Sequence, residues 1–431
     1  MTNSDATYRH VFRRVVWFLF ILYICAYLDR INIGFAALTM NRDLGLTPIA
    51  FGFANTMFYV GYLVFEVPSN LMLARFGARK WLARIMITWG IASTATAFAT
   101  GTLSLYALRL LVGVAEAGFV PGVLLYLTYW FPQAYRARAN GFFMIGQPVS
   151  IAIGSLLSGY ILRMDGTLGV TGWRWLFLLE GVPSIIFGIV TFLYLQDRPR
   201  DAAWLSASEQ TAIEQAIAAE APRAGRHGSV WAELRNPQLL LLCLAYFGLV
   251  STLNTNVTWV PQIVREILGT QGDYVTVGIW TAIPALLTVV AMPLWSQRSD
   301  RNQERLWHVI IPMATAALGW LLVTWSSVAL VRFSGLALVS IGAFCAMSIL
   351  WTLPANILSA AARPAGIAVM STACTLGSLV TPSIIGLLRD QTGNFASGLL
   401  YLVTLLIASI VCVRASVSAN ALQQPRSAVA R

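Results

Sequence analysis

The chain alternates long apolar stretches with short polar ones. Twelve apolar stretches fall at 15–38, 50–73, 81–100, 103–128, 138–162, 174–196, 237–264, 274–297, 307–325, 329–353, 366–388 and 394–414. Each approaches or exceeds the roughly 20 residues that carry a helix across a bilayer. The pattern predicts an all-α membrane protein with twelve transmembrane helices. The longest polar interval, Gln196 to Asn236, divides the stretches six and six. The expected organisation is a tail at 1–14, a six-helix bundle at 15–196, a linker at 197–236, a second bundle at 237–414 and a tail at 415–431. Within the linker, Leu205, Ile213 and Ile217 give a modest apolar stripe, which predicts a short amphipathic helix starting near Ser206.

Composition agrees with the pattern. Of 431 residues, 57% are hydrophobic and 11% charged, against roughly 25% charged in soluble domains. The basic residues, which give a net charge of +11, lie mostly in alternate loops. With the N-terminus inside, 21 of the 29 Lys and Arg fall on cytoplasmic segments, six outside and two, Arg30 and Arg109, within spans. That asymmetry places both termini in the cytoplasm. It also excludes a nucleic-acid surface, since no aromatic-interleaved basic patch is formed. The N-terminal apolar run is too long for a cleaved leader and reads as a retained first span. The five cysteines, Cys25, Cys243, Cys345, Cys374 and Cys412, show no metal-ligand spacing and read as buried thiols. No metal or other cofactor is expected.

The segment "YICAYLDRINIGFAAL" sets an acid and a base, Asp29 and Arg30, inside the first span. An ionisable group in hydrocarbon costs at least about 2.5–3.5 kcal/mol and marks function by default. The others are Glu66, Arg109, Glu116 and Glu180, all in the first half. Arg109 and Glu116 are seven residues apart and share one helix face. By helical rise, Arg30 and Arg109 reach similar depths, so both could converge on an anion, which the planar guanidinium grips bidentately. Asp29 or Glu116, on losing an arginine partner to that anion, would accept a proton. The same residues also fit a structural ion-pair set joining spans one and four.

Further polar positions attract weaker expectations. Asn254, Asn256, Thr258, Trp259 and Gln262 lie on span seven beside Pro261, which should break the helix there. Trp351, Thr352 and Asn356 lie on span ten beside Pro354. Of these, Asn256, Trp259, Trp351 and Thr352 are candidate walls of a substrate site, and each Trp equally fits a membrane-interface position. Glu66 suits a gate contact or a snorkelling acid, and Glu180 a structural role. His10, His227 and His308 lie in the tail, the linker and a span edge, a poor setting for a proton relay. The loops "ARFGARKWLAR" and "QRSDRNQERLW" occupy matching places after spans two and eight. Their Arg75, Arg79, Asp300 and Arg301 are read as gating-loop residues.

With "YLDRINIGFAAL", "FEVPSNLMLARFGARKWLARIM", "RLLVGVAEAGFVPG", "GWRWLFLLEGVPS", "DRPRDAAWL" and "RSDRNQER" in this order, the chain resembles the major facilitator superfamily. More narrowly it resembles its anion:cation symporter family of organic-acid transporters. The resemblance implies two pseudo-symmetric six-helix bundles and alternating-access symport of a small organic anion with protons, in the cell inner membrane, by a monomer. It matches Asp29, Arg30, Arg109 and Glu116 to positions used for proton and anion binding, and Tyr62 and Gln147 to neutral pocket contacts. Thr375, a candidate substrate contact, stands where relatives often carry Asn, and Ala74 where the wider superfamily has an acid. Anion exchange or sodium coupling would suit the same fold. A polytopic membrane enzyme is the rival class, and the chain offers it neither a metal cluster nor a nucleophile–base set.

Overall fold

The computed structural model describes residues 3–220, 235–269, 273–356, 358 and 363–423. The linker between 221 and 234, with Arg223, Arg226 and His227, lies outside these, as do Arg426 and Arg431. Among the described residues there is no strand.

The helices are α1 (Asn3–Val11), α2 (Trp17–Asp43), α3 (Pro48–Phe76), α4 (Ala78–Thr96), α5 (Thr102–Glu116), α6 (Phe119–Thr128), α7 (Gln133–Leu162), α8 (Gly172–Tyr194) and α9 (Ala207–Ala219). They continue with α10 (Pro237–Thr258), α11 (Val260–Leu268), α12 (Tyr274–Asn302), α13 (Leu306–Trp325), α14 (Ala329–Leu350), α15 (Arg363–Thr392) and α16 (Ala396–Gln423). A π-helical turn, Phe12–Val16, leads into α2. Among the described residues eleven stretches are long and apolar enough to cross a membrane on their own. The expected third span is α4, whose first turns hold Arg79, Lys80 and Arg84, so its helix is less apolar than the others. The linker helix α9 begins after Ser206, whose hydroxyl accepts from the Glu209 amide while the Glu209 carboxylate accepts from the Ser206 amide. Those Ser206 bonds, with one from Thr7, hold the Glu209 carboxyl below the usual carboxylate range.

Two expected spans are broken. Span four divides into α5 and α6 at Ala117 and Gly118, where Gly118 takes a φ of 86° that favours glycine. Span seven divides into α10 and α11 at Trp259. The break there precedes Pro261, which becomes the second residue of α11, where a missing N–H costs nothing.

The chain forms two compact units, residues 1–45 with 57–225, and residues 46–56 with 226–431. In the first, α2 packs on α7 and α8, α4 on α5 and α8, and α7 on α8. In the second, α10 packs on α15 and α16, α13 on α14 and α16, and α15 on α16. Taking the helices in span order, these five partnerships of one unit each have a counterpart in the other. Two repeats of one six-span plan account for this.

Candidate functional site

Arg30, Arg109 and Glu116 gather where α2, α3 and α5 meet. Helices α3 and α5 can approach because glycines face backbone: a Cβ on Gly61 would lie 2.5 Å from the Leu110 carbonyl oxygen, and one on Gly113 would strike that of Phe58. This close approach sets the Phe58 ring between two guanidiniums. The Arg109 guanidinium carbon lies 4.9 Å from the ring centroid and that of Arg30 lies 5.6 Å from it. Arg30 also sits over Tyr27 and Tyr62, at 5.2 and 5.4 Å. Cation–π contacts of this kind are worth about 2 kcal/mol or more when desolvated.

Arg30 has an acid as well. Its Nε donates to Glu116 Oε1 at 2.6 Å and its Nη2 lies 2.5 Å from the same oxygen. The other oxygen, Oε2, is buried with no partner. Arg109 is 3% exposed, makes no hydrogen bond among the described residues, and its Nε is buried without an acceptor there. The Phe58 ring face gives this guanidinium a contact but no hydrogen-bond acceptor to replace water. An anion is the chemical group that would complete it.

Asp29 departs from the sequence expectation. It has no arginine partner to surrender, because its four donors are neutral. Asn32 Nδ2 and Ser93 Oγ donate to Oδ1 at 3.4 and 2.6 Å, and Trp89 Nε1 and Ser184 Oγ to Oδ2 at 2.8 Å each. The side chain is turned toward α4 and α8, since neighbours in a helix point about 100° apart and Arg30 takes the other direction. Glu180, also buried, accepts from Ser158 Oγ at 2.9 Å while its Oε2 has no partner.

The remaining expected residues are more dispersed. Tyr62 is buried beside Arg30, whereas Gln147 is half-buried on α7 and makes no hydrogen bond among the described residues. In the second unit, Trp351 packs edge-on to Tyr246 with centroids 4.7 Å apart. Asn256 donates to the Thr252 carbonyl at 3.4 Å, and Thr352 and Thr375 to the carbonyls of Ile349 and Ser371. The Asn356 side chain lies outside the described residues. Trp259, expected as a wall residue, is fully buried between Phe51 and Phe395 and presents no surface to a ligand in this structure. The helix break tucks its ring into that aromatic contact. Gln262 accepts from Arg389 Nη1 at 2.8 Å. Among the loop residues, Glu66 is half-buried and Arg75 exposed. Arg79 donates through Nε to the Phe192 carbonyl at 2.6 Å, while its amide is capped by Asp197. Asp300 pairs with Arg305 at 2.7 Å, and Arg301 has no partner among the described residues. No group of three His, Cys, Asp or Glu among the described residues is placed to hold a metal.

Sequence reasoning missed Phe58, since an apolar residue in a span carries no chemical flag. Its only signal was the spacing Phe58–Tyr62, one helical turn on span two.

Residues 19–382 match the family model described as Major Facilitator Superfamily. The chain belongs to that superfamily. It is 45% identical over 413 residues, 95% of each chain, to a protein of Agrobacterium vitis named "Putative tartrate transporter". It is 36% identical over 395 residues, 91% of each chain, to a "Quinolone resistance transporter" of Acinetobacter baumannii. The xylose transporter XylE from E. coli shares the Major Facilitator fold, with a TM-score of 0.74 at 14% identity over 92% of this chain and 95% of that one. The protein is accordingly a multi-pass membrane transporter of this superfamily.

Proposed function

We propose that the protein imports a small organic anion together with protons, by alternating access across the cell inner membrane, with both termini in the cytoplasm. The observation that carries the anion is Arg109, buried and without an acceptor beside the Arg30–Glu116 pair. A substrate carboxylate completes Arg109 first. A second contact then draws Arg30 away from Glu116, leaving a carboxylate in a low-dielectric setting without its counter-ion, and it takes a proton. Substrate and proton are thereby bound as a set. The similarity to the Agrobacterium protein supports a tartrate-like acid, and the aromatic surround of Phe58, Tyr27 and Tyr62 is compatible with other compact carboxylates. Glu116 is the proposed proton carrier, and Asp29, held by neutral donors, is proposed to fasten α2 to α4 and α8.

The test is substrate-evoked proton uptake into proteoliposomes across a panel of organic acids, with labelled-substrate counterflow beside it. Wild type should acidify the lumen with one class of acid. Glu116→Gln should lose the proton signal and keep counterflow. Arg109→Gln should lose both, by roughly a hundredfold in uptake, as expected for a buried charge-assisted contact of 2–3 kcal/mol. Counterflow in wild type without a proton signal under any gradient would replace symport by exchange or sodium coupling.

A further inference from the structure

Helix α12 leaves one face uncovered by the protein. Ile279, Ile283, Leu286, Val290 and Leu294 are exposed, and their three- and four-residue spacing places them on one stripe. The stripe is no mere lipid-facing surface, because its end is charged. Gln297, Arg298 and Arg301 continue the same spacing and, with Leu294 and Asn302, line a cavity of about 400 Å³.

Among the described residues Arg298 and Arg301 make no hydrogen bond or ion pair, and both are exposed. The nearby acids are engaged elsewhere. Asp300 holds Arg305 at 2.7 Å. Glu304 accepts from the amides of Trp307 and His308 and lies 2.6 Å from His308 Nδ1. The cavity is therefore lined by two guanidiniums and two amides together with apolar Leu294. Trp307, 54% exposed at the start of α13, is the side chain that sits at a membrane–water boundary. Arginines three residues apart on a helix stand about 5–6 Å from each other, close enough for both forks to reach one phosphate.

We propose that this groove binds an anionic phospholipid, its phosphate held by Arg298 and Arg301 and one acyl chain laid along the stripe from Leu294 to Ile279. Charge complementarity selects the headgroup, and the apolar track selects a lipid over a free anion.

The experiment uses the full-length protein in phosphatidylcholine nanodiscs doped with a photoreactive phosphatidylglycerol. Labelling should fall within the segment 290–302 in wild type and drop about thirtyfold in R298Q/R301Q, which is the loss of about 1 kcal/mol for each of two basic residues at an anionic surface. R298K/R301K, which keeps the charge, should recover much of the labelling and guards against a folding artefact. A photoreactive phosphatidylcholine should label all three proteins alike. Undiminished phosphatidylglycerol labelling of this segment in R298Q/R301Q would overturn the proposal. So would inorganic phosphate competing as well as the lipid, which would make the groove a free-phosphate site.

Discussion

Asp29 and Arg30 are neighbours in the chain with opposite employment. Arg30 faces Glu116 and three aromatic rings, while Asp29 turns inward and satisfies donors on α4 and α8. This division yields a prediction about stability. Asn at position 29 keeps one oxygen and sets an NH2 against donors that already point at it. At least one buried donor then loses its acceptor, at about 1–3 kcal/mol. Asp29→Asn should therefore lower the thermal unfolding midpoint in detergent by several degrees, and Trp89→Phe by less. An unchanged midpoint combined with lost proton coupling would move Asp29 out of the core and into the transport chemistry. The charged residues were legible in the sequence because so few ionisable groups occur within spans, and helical spacing alone set Arg109 and Glu116 on one face. The partners of Asp29 were not legible. Trp89, Ser93 and Ser184 are 60, 64 and 155 residues away, and no local pattern links them to an acid. Nor does local pattern pair Arg30 with Glu116 rather than leaving it free for substrate.

At the scale of the helix, the site depends on two features with no charge at all. The first is the break after Glu116, which lets α5 end at the ion pair and α6 start in a new direction. Sequence reading expected one span through 103–128 because hydropathy is continuous there. Gly118 was visible, but its positive φ is a property of the fold. The second is the glycine contact of α3 with α5. Ala at position 113 would meet the Phe58 carbonyl and come within 3.1 Å of the Tyr62 amide. Overpacking of this kind costs about 1–3 kcal/mol, and relief requires α3 to shift and carry the Phe58 and Tyr62 rings away from Arg109 and Arg30. Gly113→Ala should weaken substrate binding by about tenfold or more, measured as KM for uptake, while the protein still folds. Gly141→Ala, where a Cβ meets nothing within 4 Å, is the control and should be neutral. Equal effects at both positions would remove the close-approach argument. By contrast the linker helix, expected near Ser206 from an apolar stripe, spans Ala207–Ala219 and starts at a capping box, a local device that needs no tertiary partner.

For the whole molecule, the repeated packing scheme of the two units explains why twelve spans could be anticipated from hydropathy and a single long polar interval. What hydropathy could not show is that α3 is divided: residues 46–56 group with the second unit and 57 onward with the first. In the second unit this segment packs tightly on α15. Thr56 Oγ1 donates to the Leu379 carbonyl at 2.6 Å and lies 2.8 Å from Ser383 Oγ, and the Ile49 amide donates to Asp390 at 3.0 Å. A Cβ on Gly386 would sit 2.5 Å from the Pro48 carbonyl oxygen, so the two backbones are nearly touching. If alternating access moves α3 against α15, a contact made this tightly in one state must open in the other. The hydroxyl spacing of Thr56 and Ser383 suits a disulfide between cysteines placed there, since bridged Cβ atoms stand about 3.5–4.5 Å apart. In T56C/S383C, oxidation should abolish uptake and reduction should restore it, with either single variant and the wild type indifferent to the oxidant. Uptake persisting in the fully cross-linked protein would show that α3 and α15 stay together throughout the cycle. The substrate would then have to cross by a motion confined to other helices, and alternating access through this contact would be refuted.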